Sequence, residues 1–245
     1  MTGLLPWLGG TFLQWTACIA VSAPFVALAG GGKTGIWRRL AFLAVFFLGC
    51  LLLVRLETTW AFLRSPWQAM LLEAVFALGV ILLTRSASSC GLTLKIDRQA
   101  WRDAAVVTLL LLLFVLIRNN FLRLMGLAHR EGIPGLEFLL YQATLPGIAE
   151  ELAYRGVIQS QLNGIFGRPW KVFKACLGWG FVITAVIFWA IHAFLIEGLS
   201  LSFYWQTLTM QMVAGLVFGW LRERSGSLVP GILAHNLVNL VWTLA

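Results

Sequence analysis

The chain has 245 residues, of which 60% are hydrophobic and only 11% are charged, and its mean hydropathy is +0.85. This composition excludes an ordinary soluble domain and is typical of a polytopic membrane protein. The net charge of +8 does not indicate nucleic-acid binding, because the basic residues are spread among short breaks between apolar runs and form no single stripe.

Eight apolar runs predict an all-α fold of about eight transmembrane helices that enclose an intramembrane polar cavity. Each run is roughly long enough to cross a hydrocarbon core of about 30 Å, although Arg55 and Glu57 interrupt the second. No linker or repeat divides the chain, so we predict one membrane domain over residues 1–245. The predicted spans are 4–30, 40–63, 66–84, 104–122, 136–162, 176–197, 200–221 and 227–245.

The distribution of Lys and Arg among the loops predicts the orientation of these helices. Twelve basic residues fall in alternate loops: Lys33, Arg38, Arg39, Arg85, Lys95, Arg98, Arg102, Arg168, Lys171, Lys174, Arg222 and Arg224. The opposite loops contain five, namely Arg55, Arg64, Arg118, Arg123 and Arg130. The positive-inside rule therefore places the first, third, fifth and seventh loops in the cytoplasm and both termini outside.

A pair of glutamates in the fifth predicted span begins the polar part of the sequence, Glu150-Glu151-Leu-Ala-Tyr-Arg155. Glu151 and Arg155 are four residues apart and share a helical face, whereas Glu150 points about 100° away. Glu151 is therefore expected to pair with Arg155 and Glu150 to act as a general base for water. A structural ion pair with one snorkelling glutamate is the alternative interpretation.

Two histidines follow in the sixth and eighth predicted spans. Phe188 and His192 share a face in Phe-Trp-Ala-Ile-His, and His235 and Asn239 share a face in His-Asn-Leu-Val-Asn. His235 and Asn239 could donate two hydrogen bonds to a developing oxyanion. Each histidine alone could equally be an interhelical hydrogen-bonding residue. Together with a water-activating carboxylate, however, they supply complementary parts of an amide-hydrolysing site.

Glu73 and a pair of glycines are weaker signals. Glu73 lies in the third predicted span, where lining a substrate groove is one interpretation, but an interhelical hydrogen bond or a headgroup contact is the preferred one. Gly215 and Gly219 form a GxxxG pair, which we interpret as a site of close helix packing.

The three motifs, EExxxR, FxxxH and HxxxN, resemble those of the CAAX-prenyl-protease and bacteriocin-processing (CPBP, or Abi) family of intramembrane endopeptidases. The resemblance covers about residues 140–245, so 136–245 would hold the catalytic helices and 1–135 the variable N-terminal helices. It implies that Glu150 and His192 activate water and that His235 and Asn239 stabilise the oxyanion. Glu151, Arg155 and Phe188 would support them.

The resemblance also implies a hydrolase that cleaves a membrane-associated protein or peptide. Its expected location is the lipid bilayer of a bacterial inner (plasma) membrane, with processing or sorting of exported proteins as one role. A CAAX-type prenyl protease, or a non-enzymatic immunity or scaffold protein, is the alternative. No cofactor and no nucleic-acid partner is expected.

Zinc remains an alternative to a metal-free mechanism. Glu150, His192 and His235 could in principle bind a zinc ion and leave a position open for water. The sequence, however, contains no HExxH motif, and Asn239 is a poor zinc ligand but a good oxyanion donor. We therefore favour a glutamate-dependent, metal-free site.

Overall fold

The computed structural model describes residues 4–30, 35–58, 66–84, 88–127, 132 and 134–244. In the N-terminal half the chain forms four long helices. These are α1 (Leu4–Gly30), α2 (Trp37–Val54), which runs into a 3₁₀ turn (Arg55–Thr58), α3 (Pro66–Leu83) and α4 (Arg98–Leu124). Asp97 caps α4, since its carboxylate accepts a 2.7 Å hydrogen bond from the Ala100 amide.

The C-terminal half begins with a short helix, which is followed by a composite helix. A short helix α5 (Leu136–Gln142) precedes α6 (Leu145–Glu150), a π-helix (Glu151–Gln159) and α7 (Ser160–Phe166), and the last three form one continuous rod over 145–166. Next come α8 (Trp179–Ala193), a π-turn (Leu208–Met212) leading into α9 (Val213–Ser225), and α10 (Val229–Leu244). Helix α8 is central and contacts α1, the rod and α9.

Two short antiparallel hairpins flank α8 and modify the all-α prediction. Strands β1 (Trp170–Val172) and β2 (Ala175–Leu177) precede it, and β3 (Phe194–Glu197) and β4 (Ser200–Phe203) follow it. In the second hairpin Glu197 is opposite Ser200, and Gly198 takes a positive φ of 63° that a tight turn requires. The predicted spans 176–197 and 200–221 were therefore too long at this end, because the chain leaves the helix at Ala193.

The prediction of a mainly helical membrane protein is confirmed at the level of helix type and composition. Within the described residues, three helices are long and apolar enough to cross a membrane: Leu5–Gly30, Trp37–Val54 and Arg98–Leu124. Only 17%, 28% and 17% of their most apolar windows are buried inside the protein, so most of that apolar surface faces outward, as it does against lipid. The second predicted span, 40–63, ends as an α-helix at Val54, and residues 59–63 lie outside the described residues.

Helix α10 crosses the start of the rod at very close range. Gly147 has no side chain, and a Cβ at this position would collide with the Asn236 side chain and approach the Ile232 carbonyl oxygen to 2.9 Å. The close approach lets the Gly147 amide donate a 2.9 Å hydrogen bond to Asn236 Oδ1. The contact brings the helix that carries His235 next to the helix that carries the two glutamates.

Candidate active site

The rod changes from an α-helix to a π-helix at the glutamate pair. Glu150 is the last residue of α6, and all nine residues from Glu151 to Gln159 are buried. The sequence predicted an ordinary α-helix here, and nothing in its spacing reveals the wider turn. Short π-helical segments often occur at functional sites, because they redirect side chains within an otherwise regular helix.

Arg155 is fully buried, and its charge is balanced on several sides. Its Nη1 lies 3.4 Å from Glu151 Oε1, and its Nη2 donates a 3.1 Å hydrogen bond to the Gly215 carbonyl. The guanidinium carbon also lies 4.5 Å from the centre of the Phe188 ring and 5.5 Å from that of Phe218. Ion pairing and cation–π contacts together compensate a charge that would otherwise be very costly to bury.

His235 lies between the two glutamates. Its Nδ1 is 3.0 Å from Glu151 Oε1, and its Nε2 is 3.9 Å from Glu150 Oε2. The imidazole stacks on the Phe218 ring at a centroid distance of 4.7 Å and meets the edge of Phe188 at 5.9 Å. Aromatic contacts and the Glu151 hydrogen bond therefore fix both the position and the rotation of this ring.

The Glu151 contact also determines which nitrogen of His235 carries a proton. A carboxylate that pairs with Arg155 accepts a hydrogen bond, so Nδ1 of His235 is the donor. A neutral ring would then have a lone pair at Nε2. Both nitrogens can donate only when the ring is the imidazolium.

His192 lies in the last turn of α8 and is half-buried. Its Nδ1 is 2.7 Å from the Phe188 carbonyl oxygen, so Nδ1 is protonated and Nε2 is the nitrogen with a free lone pair in the neutral ring. The His192 and Phe188 rings lie 4.9 Å apart. In the described part of the chain no hydrogen bond or ion pair joins His192 to Glu150 or His235, but both histidine rings contact Phe188.

Gln14 from α1 holds the end of the helix that carries His192. Its side-chain amide donates hydrogen bonds of 3.1 Å to the Ile191 carbonyl and 2.7 Å to the Phe194 carbonyl. These carbonyls belong to the last turn of α8 and to its C-cap, where no further helical amide is available. Gln14 was not predicted as a site residue, because only the folded chain brings α1 to this position.

The two asparagines of the last motif have different environments. Asn239 lies one turn after His235, is half-buried, and its side chain forms no hydrogen bond with the described residues. Asn236 is buried, accepts from the Gly147 amide and donates a 2.9 Å hydrogen bond to the Thr144 carbonyl. Asn236 was missed by the sequence analysis, and it attaches α10 to the start of the rod.

Glu150 differs from Glu151 in having an unsatisfied oxygen. Its side chain is 15% exposed, and its Oε2 is buried without a hydrogen-bond partner among the described residues. A second carboxyl group, that of Glu73 in α3, interacts with it electrostatically. Glu73 is only 2% exposed and shares a hydrogen bond with Cys50 of α2, so the interhelical hydrogen bond, and not the headgroup contact, is the part of its preferred interpretation that holds.

The geometry does not fit a zinc site well. Among the residues that the structure describes, no three His, Cys, Asp or Glu side chains form a group that could hold a metal ion. His235 Nδ1 is already engaged by Glu151, which leaves Nε2 as its only candidate ligand atom. The zinc alternative with Glu150, His192 and His235 thus lacks a preformed ligand set.

A cavity of about 990 Å³ lies away from these residues. Helices α1, α2, α8 and the rod line it with apolar side chains such as Ile19, Leu43, Phe47 and Ile183. Its lining includes none of the predicted catalytic residues.

The motif residues Glu150, Glu151, His192 and His235 lie on helices of a strongly apolar chain. Residues 133–241, which are less than half of the chain and contain all three motifs, match a family model described as type II CAAX prenyl endopeptidase Rce1-like. This model belongs to the CPBP family, so the resemblance drawn from the motifs is confirmed over the matched segment. No curated protein and no solved structure matches the chain.

The family match supports several coarser conclusions. The family comprises CAAX-type intramembrane proteases, and their substrates are proteins or peptides in the membrane. Together with the apolar helices, it makes this chain an integral membrane protein.

Proposed function

We propose that the protein is an intramembrane endopeptidase that hydrolyses one peptide bond of a membrane-associated protein or peptide without a metal ion. One observation carries this proposal. His235 is fixed between Glu150 and Glu151 against two aromatic rings, inside the helices that match the family. A structural ion pair would need only Glu151 and Arg155 and would leave Glu150 without a purpose.

Water activation is assigned to Glu150 and His192. The Glu150 carboxylate accepts a proton from water while the water oxygen attacks the carbonyl carbon of the scissile bond. His192 assists this activation of water through its Nε2 atom, because its Nδ1 is already hydrogen-bonded to the Phe188 carbonyl. When the tetrahedral intermediate collapses, the C–N bond breaks and the proton passes from Glu150 to the leaving amine. The products are a new carboxyl terminus and a new amino terminus.

Oxyanion stabilisation is assigned to His235 and Asn239. Because Nδ1 of His235 donates to Glu151, the ring must be an imidazolium to donate from Nε2 as well. In that form the ring is a cationic donor, which stabilises an oxyanion more strongly than a neutral donor does. Asn239 is free to donate its amide, since it has no partner among the described residues.

The proposed architecture has eight spans in one membrane domain: α1, α2, α3, α4, the rod, α8, the π-turn with α9, and α10. At 1.5 Å per residue the 22-residue rod is about 33 Å long, which is enough to cross the bilayer. The helices that carry Glu150, His192 and His235 then enclose the polar site within the membrane.

The proposed orientation has the basic loops in the cytoplasm and both termini outside. Two sets of contacts at opposite ends of α1 support it. Near its start, the Trp7 indole bonds to the Arg55 carbonyl, and Gly10 lies against the β3–β4 hairpin. Near its end, Gly30 lies against Phe166, and Arg39 of the basic loop region bonds to the Gly164 carbonyl.

This orientation places the site nearer the outer surface. Glu150 is the sixth residue of a rod that starts outside, and His192 is in the last turn of a helix that ends outside. A site at this depth suits the processing of an exported or surface-anchored protein in a bacterial plasma membrane better than that of a cytoplasmic prenylated one.

The experiment that tests the proposal compares membrane proteomes of cells that carry wild-type protein or Glu150→Ala. A precursor whose terminus changes only with the wild-type protein is the expected result. Glu137→Ala is the matched control, because Glu137 is an exposed carboxylate in the adjacent helix α5 and should leave processing unchanged. Full cleavage of the purified precursor by Glu150→Ala protein would remove the assignment of Glu150 as the base.

A further inference from the structure

Glu73 is a buried carboxyl group in a helix outside the segment that matches the family. It lies in α3 and is 2% exposed. The Cys50 thiol of α2 forms a hydrogen bond with this carboxyl group, yet Glu73 Oε2 is buried without a hydrogen-bond partner among the described residues. A buried carboxyl oxygen without a hydrogen-bond partner lowers the stability of the fold, so its presence calls for a functional explanation.

The groups that face Glu73 come from three helical elements. They are Cys50 in α2, Glu150 at the end of α6 and Tyr154 in the π-helix. None of the three is a cation, so Glu73 gains no ion pair from them. The partner that matters for chemistry is Glu150, which also has a buried oxygen without a hydrogen bond.

Helix α3 packs against α6 and the π-helix, so two buried carboxyl groups lie at one helix contact, where a second negative charge is strongly disfavoured. The proton belongs on the group with less access to solvent. Glu73 is 2% exposed, whereas the Glu150 side chain is 15% exposed and has His235 Nε2 at 3.9 Å. Glu73 is therefore the group of the two that holds the proton.

We propose that Glu73 is a positioning residue for Glu150. As a neutral carboxylic acid, it donates its O–H to the Glu150 carboxylate across one water molecule. This bridge keeps Glu150 oriented toward the water that it activates. The inference rests on the proposed role of Glu150 as the base, and it adds an N-terminal helix to a site otherwise built from the C-terminal helices.

The test compares Glu73→Gln and Glu73→Leu, reconstituted in phosphatidylglycerol-containing vesicles with the precursor found in the proteomic comparison. Gln keeps an N–H donor, so kcat should stay within about threefold of wild type. Leu removes the donor, so kcat should fall about tenfold with KM nearly unchanged, which corresponds to about 1.4 kcal/mol. Thr184→Val is the control and should leave kcat unchanged, because Thr184 is also fully buried and its hydroxyl has no hydrogen-bond partner in the described part of the chain.

Rescue by Gln but not by Leu is the outcome expected of a hydrogen-bond donor, whereas a purely structural role would lower the folded yield of both variants. Thermal unfolding midpoints check that each variant is folded. A wild-type kcat in folded Glu73→Leu, or an equal loss of kcat in both variants, would overturn the inference. If Glu150→Ala were itself active, the proposed function would fail first.

Discussion

Replacing Glu151 by Ala is the most informative test of the network around His235. Glu151 is 1% exposed and Arg155 is fully buried, so the variant leaves the guanidinium without its counter-charge. Breaking a buried pair by removing one partner costs roughly 3 to 5 kcal/mol. Since whole proteins are stable by about 5 to 15 kcal/mol, we expect a large loss of folded protein.

A double variant separates folding from catalysis. Glu151→Leu with Arg155→Met replaces the ion pair by apolar side chains of similar size, a change that is often neutral or stabilising. We therefore expect its folded yield to recover. Cleavage should stay low, because Nδ1 of His235 has lost the acceptor that fixes the ring.

The assay measures the folded fraction by size-exclusion chromatography in detergent, the unfolding midpoint, and cleavage by the same samples. Glu150→Ala is the matched control, since Glu150 is the adjacent glutamate and its Oε2 has no hydrogen bond with any described residue to lose. It should be folded but inactive. Wild-type stability in Glu151→Ala, or wild-type cleavage by the double variant, would refute the reasoning about this network.

The remaining predictions concern helix attachment, metal and orientation. Asn236→Ala should lower the free energy of unfolding by about 2 kcal/mol, because two backbone groups lose a buried hydrogen-bond partner. Asn239→Ala should leave stability unchanged and abolish cleavage. Equal stability of the two variants in thermal unfolding would contradict this prediction. Chelators should leave the purified enzyme active, and elemental analysis should find no stoichiometric zinc; activity that follows the removal and return of one zinc per chain would reverse our preference. In a background without native cysteines, Glu197→Cys should react with an impermeant thiol reagent from outside, and Lys171→Cys should not. Both positions are exposed, and they lie at opposite ends of α8. The reverse pattern of labelling would place the site on the cytoplasmic side.

The sequence could reveal candidate residues of the site but not all of their contacts. Short motifs carry the glutamates, Phe188 and the two histidines, and the spacing of four residues predicted the contact between Glu151 and Arg155. The bond from Glu151 to His235 spans 84 positions and depends on how α10 packs against the rod. No local pattern encodes that packing, so Glu151 was expected to serve Arg155 alone.

The fold shows the same division between local and long-range information. Hydropathy predicted where the helices lie, because each apolar run is a local property of the chain. Contacts between distant parts of the chain determine the other features. These are the π-helix, the hairpin after His192, and the packing of α3, which carries Glu73, against the helix that carries Glu150. Asn236 was overlooked because its neighbours, His235 and Asn239, have the chemistry of a hydrolase, whereas its own role is to bond to the backbone of another helix.

Gln14 has a consequence for how this family can vary. Its side chain donates hydrogen bonds to the Ile191 and Phe194 carbonyls. These two groups lie where α8, the helix that carries His192, ends and the β3–β4 hairpin begins. A helix near the start of the chain thus helps to set the position of His192, even though the recognisable family segment starts at residue 133. Exchanging N-terminal helices between relatives would disturb the geometry of a residue that the exchange leaves untouched. We therefore expect functional chimaeras only where the incoming first helix carries an equivalent amide donor.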